Sequence, residues 1–352
     1  MNKYDLIARY TTIGSILFAV LFAPNIYAFE MTDMAGRKVQ VPDSLDRIYP
    51  SAPPMSLLTY ILAPQKISAM TVPLNSQFFS TKSGYLDKSL ENIPVVGGWH
   101  GNSRGANMET LLAVKPQLVI SWKSDFVMKD VEKTFSKLNI PVVFVQEDSV
   151  EDEPNAIRFV GKVVSNETKA EVLAKDADER LGYVKKIART VAENKKPIVY
   201  YAEGIDGLAT ECADSFHYEP ISFVGVKPAF ECEQKQMVGM EKVSIEEVIK
   251  VNPDIIIAQE SKFASAVYTD SRWAGIKAVK NKRVYLVPKD PVNFLDRPPS
   301  FMRILGVQWL SSVIHPTLFK KDIKKETISF YKDYLRRDLN KEQAINILKG
   351  AK

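Results

Sequence analysis

Two stretches of this chain carry the same order of apolar and polar positions. NMETLLAVKPQLVISW begins at Asn107 and SIEEVIKVNPDIIIAQE at Ser244. Laid over each other, Glu109 meets Glu246, Leu111 meets Val248, Leu112 meets Ile249, Pro116 meets Pro253, and the apolar run 118–120 meets the run 255–257. Each copy opens with a carboxylate in the first turn of a short helix, at the positive end of the helix. Apolar residues at helical spacing follow, then a proline that cannot continue the helix, then an unbroken apolar run. Such a run, rich in Val and Ile, predicts a strand buried on both faces of a parallel sheet. Two units of this kind predict two similar α/β lobes.

A second pattern occupies residues 165–196. Ala170, Leu173, Ala177, Leu181, Val184, Ile187 and Val191 recur at steps of three and four, one apolar stripe on a helix. Ser165 or Asn166 is placed to cap its start, and Lys195, Lys196 and Pro197 to close it. At about 1.5 Å per residue this is a rod of roughly 40 Å, and its place between the twin units predicts a connecting strut. In the first half, the pattern further predicts a hairpin turning at Ala35 and Gly36, strands at 47–49, 67–70 and 141–146, and helices at 55–62 and 128–138. In the second half it predicts strands at 197–201 and 283–287 and helices at 218–223, 271–278 and 301–314. The organisation expected is a first lobe over 29–164, a connecting helix over 165–196 and a second lobe over 197–352.

Composition adds limits to this picture. A chain of 352 residues exceeds what one core usually organises, and 45% apolar with 25% charged residues suits a soluble globular protein. The net charge of +5 comes from scattered Lys and Arg among Asp and Glu, with no nucleic-acid footprint. At the N-terminus, Lys3 and Arg9, an apolar stretch at 13–23 and a short polar stretch ending at Ala28 read as an export signal, cleaved after Ala28. Its about 12 apolar residues fall short of the roughly 20 a spanning helix needs. No cysteine lies near that site, so an exported protein without a lipid anchor is expected. Export permits disulfides, and the two cysteines, Cys212 and Cys232, are close enough in sequence to bridge a loop of the second lobe; two free thiols are the alternative.

Several stretches together resemble one family: the periplasmic solute-binding proteins of ABC importers for siderophores, cobalamin, haem and related metal chelates. The resemblance rests on DMAGRKVQVP, the twin units, HYEPISFVGVKPA, and RPPSFMRILGVQWLSSVIHPTLF, in that order over essentially the whole mature chain. It implies two Rossmann-like α/β lobes joined by a single long helix, with the ligand in a cleft between them and little hinge motion. It also implies an inner-membrane permease as partner, a periplasmic location, a small-molecule metal chelate as cargo rather than a cofactor, and a monomer. In that family an acid on each lobe docks onto permease arginines; the matching positions here are Glu109 and Glu246, with Glu241 and Glu247 as neighbours able to share the task.

The cleft is expected at loops following strand ends: 51–55, 71–78, 99–104 and 122–125 in the first lobe, and 201–206, 215–218, 259–262 and 293–297 in the second. His100, in the glycine-flanked GGWHGNSRG, is expected to face the ligand. His217 sits at a predicted helix start, where capping and ligand contact are both open, and His315 reads as structural. Imidazole suits nickel, iron and copper, so His100 with His217 would complete the shell of a chelated metal; two histidines are too few to close around a bare ion. Arg104 and Arg297 are candidate counter-charges for an anionic chelate. Trp99, Trp122, Tyr201 and Phe294 are candidates to stack on planar parts of a ligand. A nickel chelate, such as nickel with free histidine, or a ferric siderophore is the expected cargo, with haem or cobalamin as alternatives. No Ser-His-Asp order, HExxH or phosphate loop marks the chain as an enzyme.

Overall fold

The two apolar runs become inner strands of two separate parallel sheets. In the first, Leu118–Trp122 lies between Ile48–Pro50 and Val142–Val145. In the second, the order is Lys227–Pro228, Ile198–Ala202, Ile255–Ala258 and Val284–Leu286, all parallel. Each run follows its expected short helix, Met108–Ala113 or Ile245–Val251. The computed structural model describes residues 28–74, 76, 79, 84–234 and 238–349. Apart from Ala28, which opens the strand Ala28–Thr32, the expected export signal lies outside them.

The alternation of a strand explains why these runs contain no polar position. In the second sheet Val199, Tyr201, Ile255 and Ile257 join the large core shared with the first lobe. Their neighbours Tyr200, Ala202, Ile256 and Ala258 face a smaller core built on Phe263 and Trp273. Both faces are therefore apolar.

The long helix spans Glu167–Thr190, about 36 Å at 1.5 Å per residue. Its stripe Ala170, Leu173, Ala177, Leu181, Val184 and Ile187 is buried. It packs on one helix from each half, Glu153–Val163 and Met302–Ile314. The helix ends earlier than the periodicity suggested: Val191 is extended, and residues 193–195 form a separate tight turn before Pro197. Asn166 caps it by position but not by side chain, since its amide donates to the Leu62 carbonyl instead.

Two further expectations are corrected and one element is added. Residues 67–70 make only isolated bridges, Ile67 to Ile48 and Met70 to Val95, rather than a strand. The helix expected over 271–278 is confined to Lys277–Lys280, because residues 271–275 turn around the buried Trp273. Helix Glu153–Val163 was not anticipated at all. Cys212 and Cys232 are joined in a disulfide.

Candidate functional site

The C-terminal ends of the strands in both sheets converge on a cavity of about 560 Å³. The first lobe contributes Pro53 and Pro54, which begin the helix Pro53–Leu62, then His100 to Asn102 at the turn of a hairpin, and Trp122 at the end of its strand. The second lobe contributes Glu203 and Gly204 after one strand, Gln259 and Glu260 after the next, and Lys289 beyond a third. Phe216 and His217, Val238 and Met240, and Asn293 with Arg297, Pro298 and Pro299 complete the wall.

His100 owes its position to the register of the hairpin Gly97–His100 and Ser103–Ala106. His100 pairs with Ser103 and Trp99 with Arg104, so these two pairs project to opposite sides. One side places His100 in the cavity wall. The other buries Trp99 against Phe135, with ring centroids 5.5 Å apart, and leaves Arg104 exposed. Arg104 folds back to donate to the carbonyls of Gly101 at 2.8 Å and Ser103 at 3.2 Å. Trp99 and Arg104 are therefore not cavity residues, contrary to expectation. The hairpin can lie this close only because Gly98 has no side chain: a Cβ there would stand 2.4 Å from the Ser51 carbonyl oxygen. Burial lowers the His100 pKa and so favours the neutral ring.

His217 is held both at its backbone and at its ring. Its backbone N–H donates to Ser215 Oγ at 3.1 Å, and that hydroxyl donates to Glu211. Its Nδ1 lies 2.7 Å from Asp296 Oδ1. A carboxylate on one imidazole nitrogen fixes the ring's orientation, as it does for histidines that bind metals. The Phe216 ring lies 3.9 Å from the His217 ring, and meets Trp122 of the other lobe edge-on at 5.5 Å. Trp122 is itself anchored through its Nε1, which donates to Asp148 Oδ1 at 2.9 Å.

Arg297 lines the cavity, but its charge is already matched. It donates to Glu203 at 2.7 Å, to Glu211 at 2.5 Å and to the Val238 carbonyl at 3.0 Å. Burial pushes the Glu203 pKa up to about 8, even though Arg297 pulls it down. Lys289, the other lining cation, pairs with Glu260 at 3.4 Å. Among the described residues the wall thus offers no unpaired cation.

Tyr201 and Phe294 are corrected in the same way as Trp99. Both are fully buried and neither lines the cavity. Tyr201 points to the core face of its strand, and its hydroxyl accepts from Gln259, whose own carbonyl accepts from Asn293 at 2.7 Å. Tyr201 therefore stands behind the wall and braces it. Of the expected loops, only 71–78 supplies no lining residue, and 75, 77 and 78 lie outside the described residues. Lys289, Val238, Met240, Pro298 and Pro299 were missed. Lys289 follows a strand end, the same signal that located the others, whereas nothing in the sequence marked the segment after Cys232. His315 is structural, with Nε2 2.9 Å from the Val224 carbonyl oxygen.

Glu109 and Glu246 are exposed, and neither joins an ion pair or hydrogen bond among the described residues. Glu247 differs: its carboxylate accepts from the Ser244 N–H at 2.7 Å in a capping box, which lowers its pKa. Among the described residues no group of three or more His, Cys, Asp or Glu side chains is arranged to hold a metal ion, and no helix is long and apolar enough to cross a membrane.

Comparison with known proteins gives a consistent set. Residues 86–291 match the model of a family described as Periplasmic binding protein. The solved ABC transporter solute binding protein from Sulfurospirillum deleyianum is 35% identical, with a TM-score of 0.86 over 90% of this chain and 98% of that one. Molybdate-binding protein MolA of Haemophilus influenzae is 24% identical over 347 residues, 89% of this chain and 93% of that protein. Helicobacter pylori CeuE, solved as a nickel–histidine complex, is 18% identical with a TM-score of 0.67 over 91% of this chain and 98% of that one, a likeness of fold alone.

Proposed function

We propose, from the premise that this chain belongs to the periplasmic binding protein family and is the substrate-binding component of an ABC importer, that its cargo is a metal chelate. The favoured form is nickel held by a small chelator such as free histidine; a ferric siderophore is the related alternative. One observation carries the reading: His100 from the first lobe and His217 from the second line the same cavity. Two imidazoles leave most of a metal's coordination shell to be filled, and a small chelator fills it. The Trp122 and Phe216 rings offer a planar ligand an apolar wall.

The charge balance separates this from its rivals. Arg297 and Lys289 are already paired with carboxylates, so the cavity favours a neutral or cationic complex over a strongly anionic one. That weighs against a polyanionic siderophore. An oxyanion such as molybdate is the second reading, supported by the likeness to MolA, and it would need Arg297 to release a carboxylate. Delivery follows from the exposed acids: Glu109 and Glu246, one per lobe, dock the loaded monomer on the two membrane subunits of the importer. The family's periplasmic setting supports the same location for this chain, with the stretch 1–28 as its export signal.

The test is an intrinsic-fluorescence titration, with Trp122 as the reporter in the wall. The panel is nickel alone, nickel with histidine, a ferric catecholate, a ferric hydroxamate, haem, cobalamin and molybdate. A response to nickel that requires histidine supports the proposal. A response to molybdate alone would replace it with the oxyanion reading.

A further inference from the structure

The twin units share more than their acids. Leu112 and Ile249 occupy the same position in the two copies, three residues after Glu109 and Glu246. Both matched positions are apolar, and both stay 42% and 47% exposed, while the preceding position, Leu111 or Val248, is fully buried. Residues three apart on a helix share a face, so each lobe presents a free carboxylate beside an aliphatic side chain. A single exposed Leu or Ile needs no explanation. The same pair at the same place in both twin units does.

Both helices are tied at their starts to segments that also carry cavity residues. Asn107, the cap of the first, donates its N–H to the Val96 carbonyl and follows the hairpin that carries His100. Ser244, the cap of the second, follows Val243, whose N–H donates to the Leu208 carbonyl in the loop that begins at Glu203. One acid-and-aliphatic patch therefore sits on each lobe, on a helix joined to a segment of the cavity wall.

We infer that Leu112 and Ile249 are apolar contacts that seat the docking acids, each entering a nonpolar socket beside a basic side chain on one membrane subunit of the importer. This rests on the docking role of Glu109 and Glu246 proposed above. The occupant is a partner built from two like subunits, because a pair of matched patches is matched only by a surface that repeats. The carboxylate steers the encounter and the aliphatic side chain, losing its water on contact, slows release.

The experiment measures binding of the full mature protein to the importer's permease–ATPase complex in lipid nanodiscs, together with the ATPase rate. The variants are Leu112→Ser, Ile249→Ser, the double variant, Glu109→Gln with Glu246→Gln, and Val172→Ser as an exposed control on the long helix. Serine removes the apolar contact without adding a charge that a basic socket would attract. Each single aliphatic variant is expected to weaken binding about tenfold and the double variant more, with melting temperature unchanged and the control silent. Wild-type binding by the double variant, with weakened acid variants, would overturn the inference and leave the docking acids standing. Wild-type binding by the acid variants as well would overturn both.

Discussion

Asp296→Asn tests the electrostatic frame of the cavity. Asp296 is wholly buried beneath the wall, 2.7 Å from His217 Nδ1, 3.5 Å from Arg297 Nε and 3.7 Å from Arg303 Nη2. Burial would raise its pKa, but His217, Arg297 and Arg303 outweigh that and hold the carboxyl at about 2, against an ordinary 3.8. A depression of this size, at about 1.36 kcal/mol for each tenfold step in proton affinity, corresponds to roughly 2 kcal/mol of folding stability. Because the folded pKa is the lower one, this contribution is complete above pH 3.8 and is lost as the pH falls through 2. Asparagine keeps the shape and removes the charge. Urea unfolding at pH 7 should therefore show a deficit of about 2–4 kcal/mol, the upper end reflecting the arginine charges left underpaired. The deficit should shrink to about half the linkage figure near pH 3. Equal stability at pH 7, or a deficit that does not change with pH, would refute the reasoning.

Two further outcomes follow from groups away from the cavity. Glu147 and Glu153 are fully buried near each other, with no hydrogen-bond donor on either carboxylate among the described residues, and burial raises both pKa values. A raised carboxyl pKa means the fold prefers the protonated form, so stability falls as the pH climbs from the ordinary carboxylate range towards 8. Glu153→Gln should stabilise the protein at pH 8.5 more than at pH 5.5, read by thermal melts; an equal effect at both would argue against the assignment. Replacing Cys212 and Cys232 by Ser opens a bridge between residues 20 apart, which should cost about 3 kcal/mol in urea unfolding. A loss well under 1 kcal/mol would mean the loop is held by its other contacts, chiefly those of Glu211.

Much of the fold was legible because its strands are buried on both faces. The runs 118–120 and 255–257 contain no polar residue to obscure their signal, and their helix and proline neighbours fix which way the chain turns. Helix Glu153–Val163 was hidden by its flank. Its first turn begins inside the acidic EDE run, and its buried residues Ala156, Ile157, Val160 and Val163 are packed by the long helix through close approach at Gly161. That packing is tertiary information. Loop positions around the cavity were readable from strand ends, whereas side-chain direction was not. Trp99 and His100 are adjacent, yet a single step along a strand sends one into the core and the other into the wall. The state of Arg297 was out of reach too, since Glu203 and Glu211 are remote from it in sequence and meet it only in the folded lobe.

The central claim is that His100 and His217 hold one chelated metal from opposite lobes. Calorimetric titration of the wild type, His100→Ala and His217→Ala with nickel in the presence of free histidine tests it most directly. The account predicts binding by the wild type and a loss of at least about tenfold in each variant, the scale of one metal ligand or its orienting partner. Full affinity in both variants would contradict it.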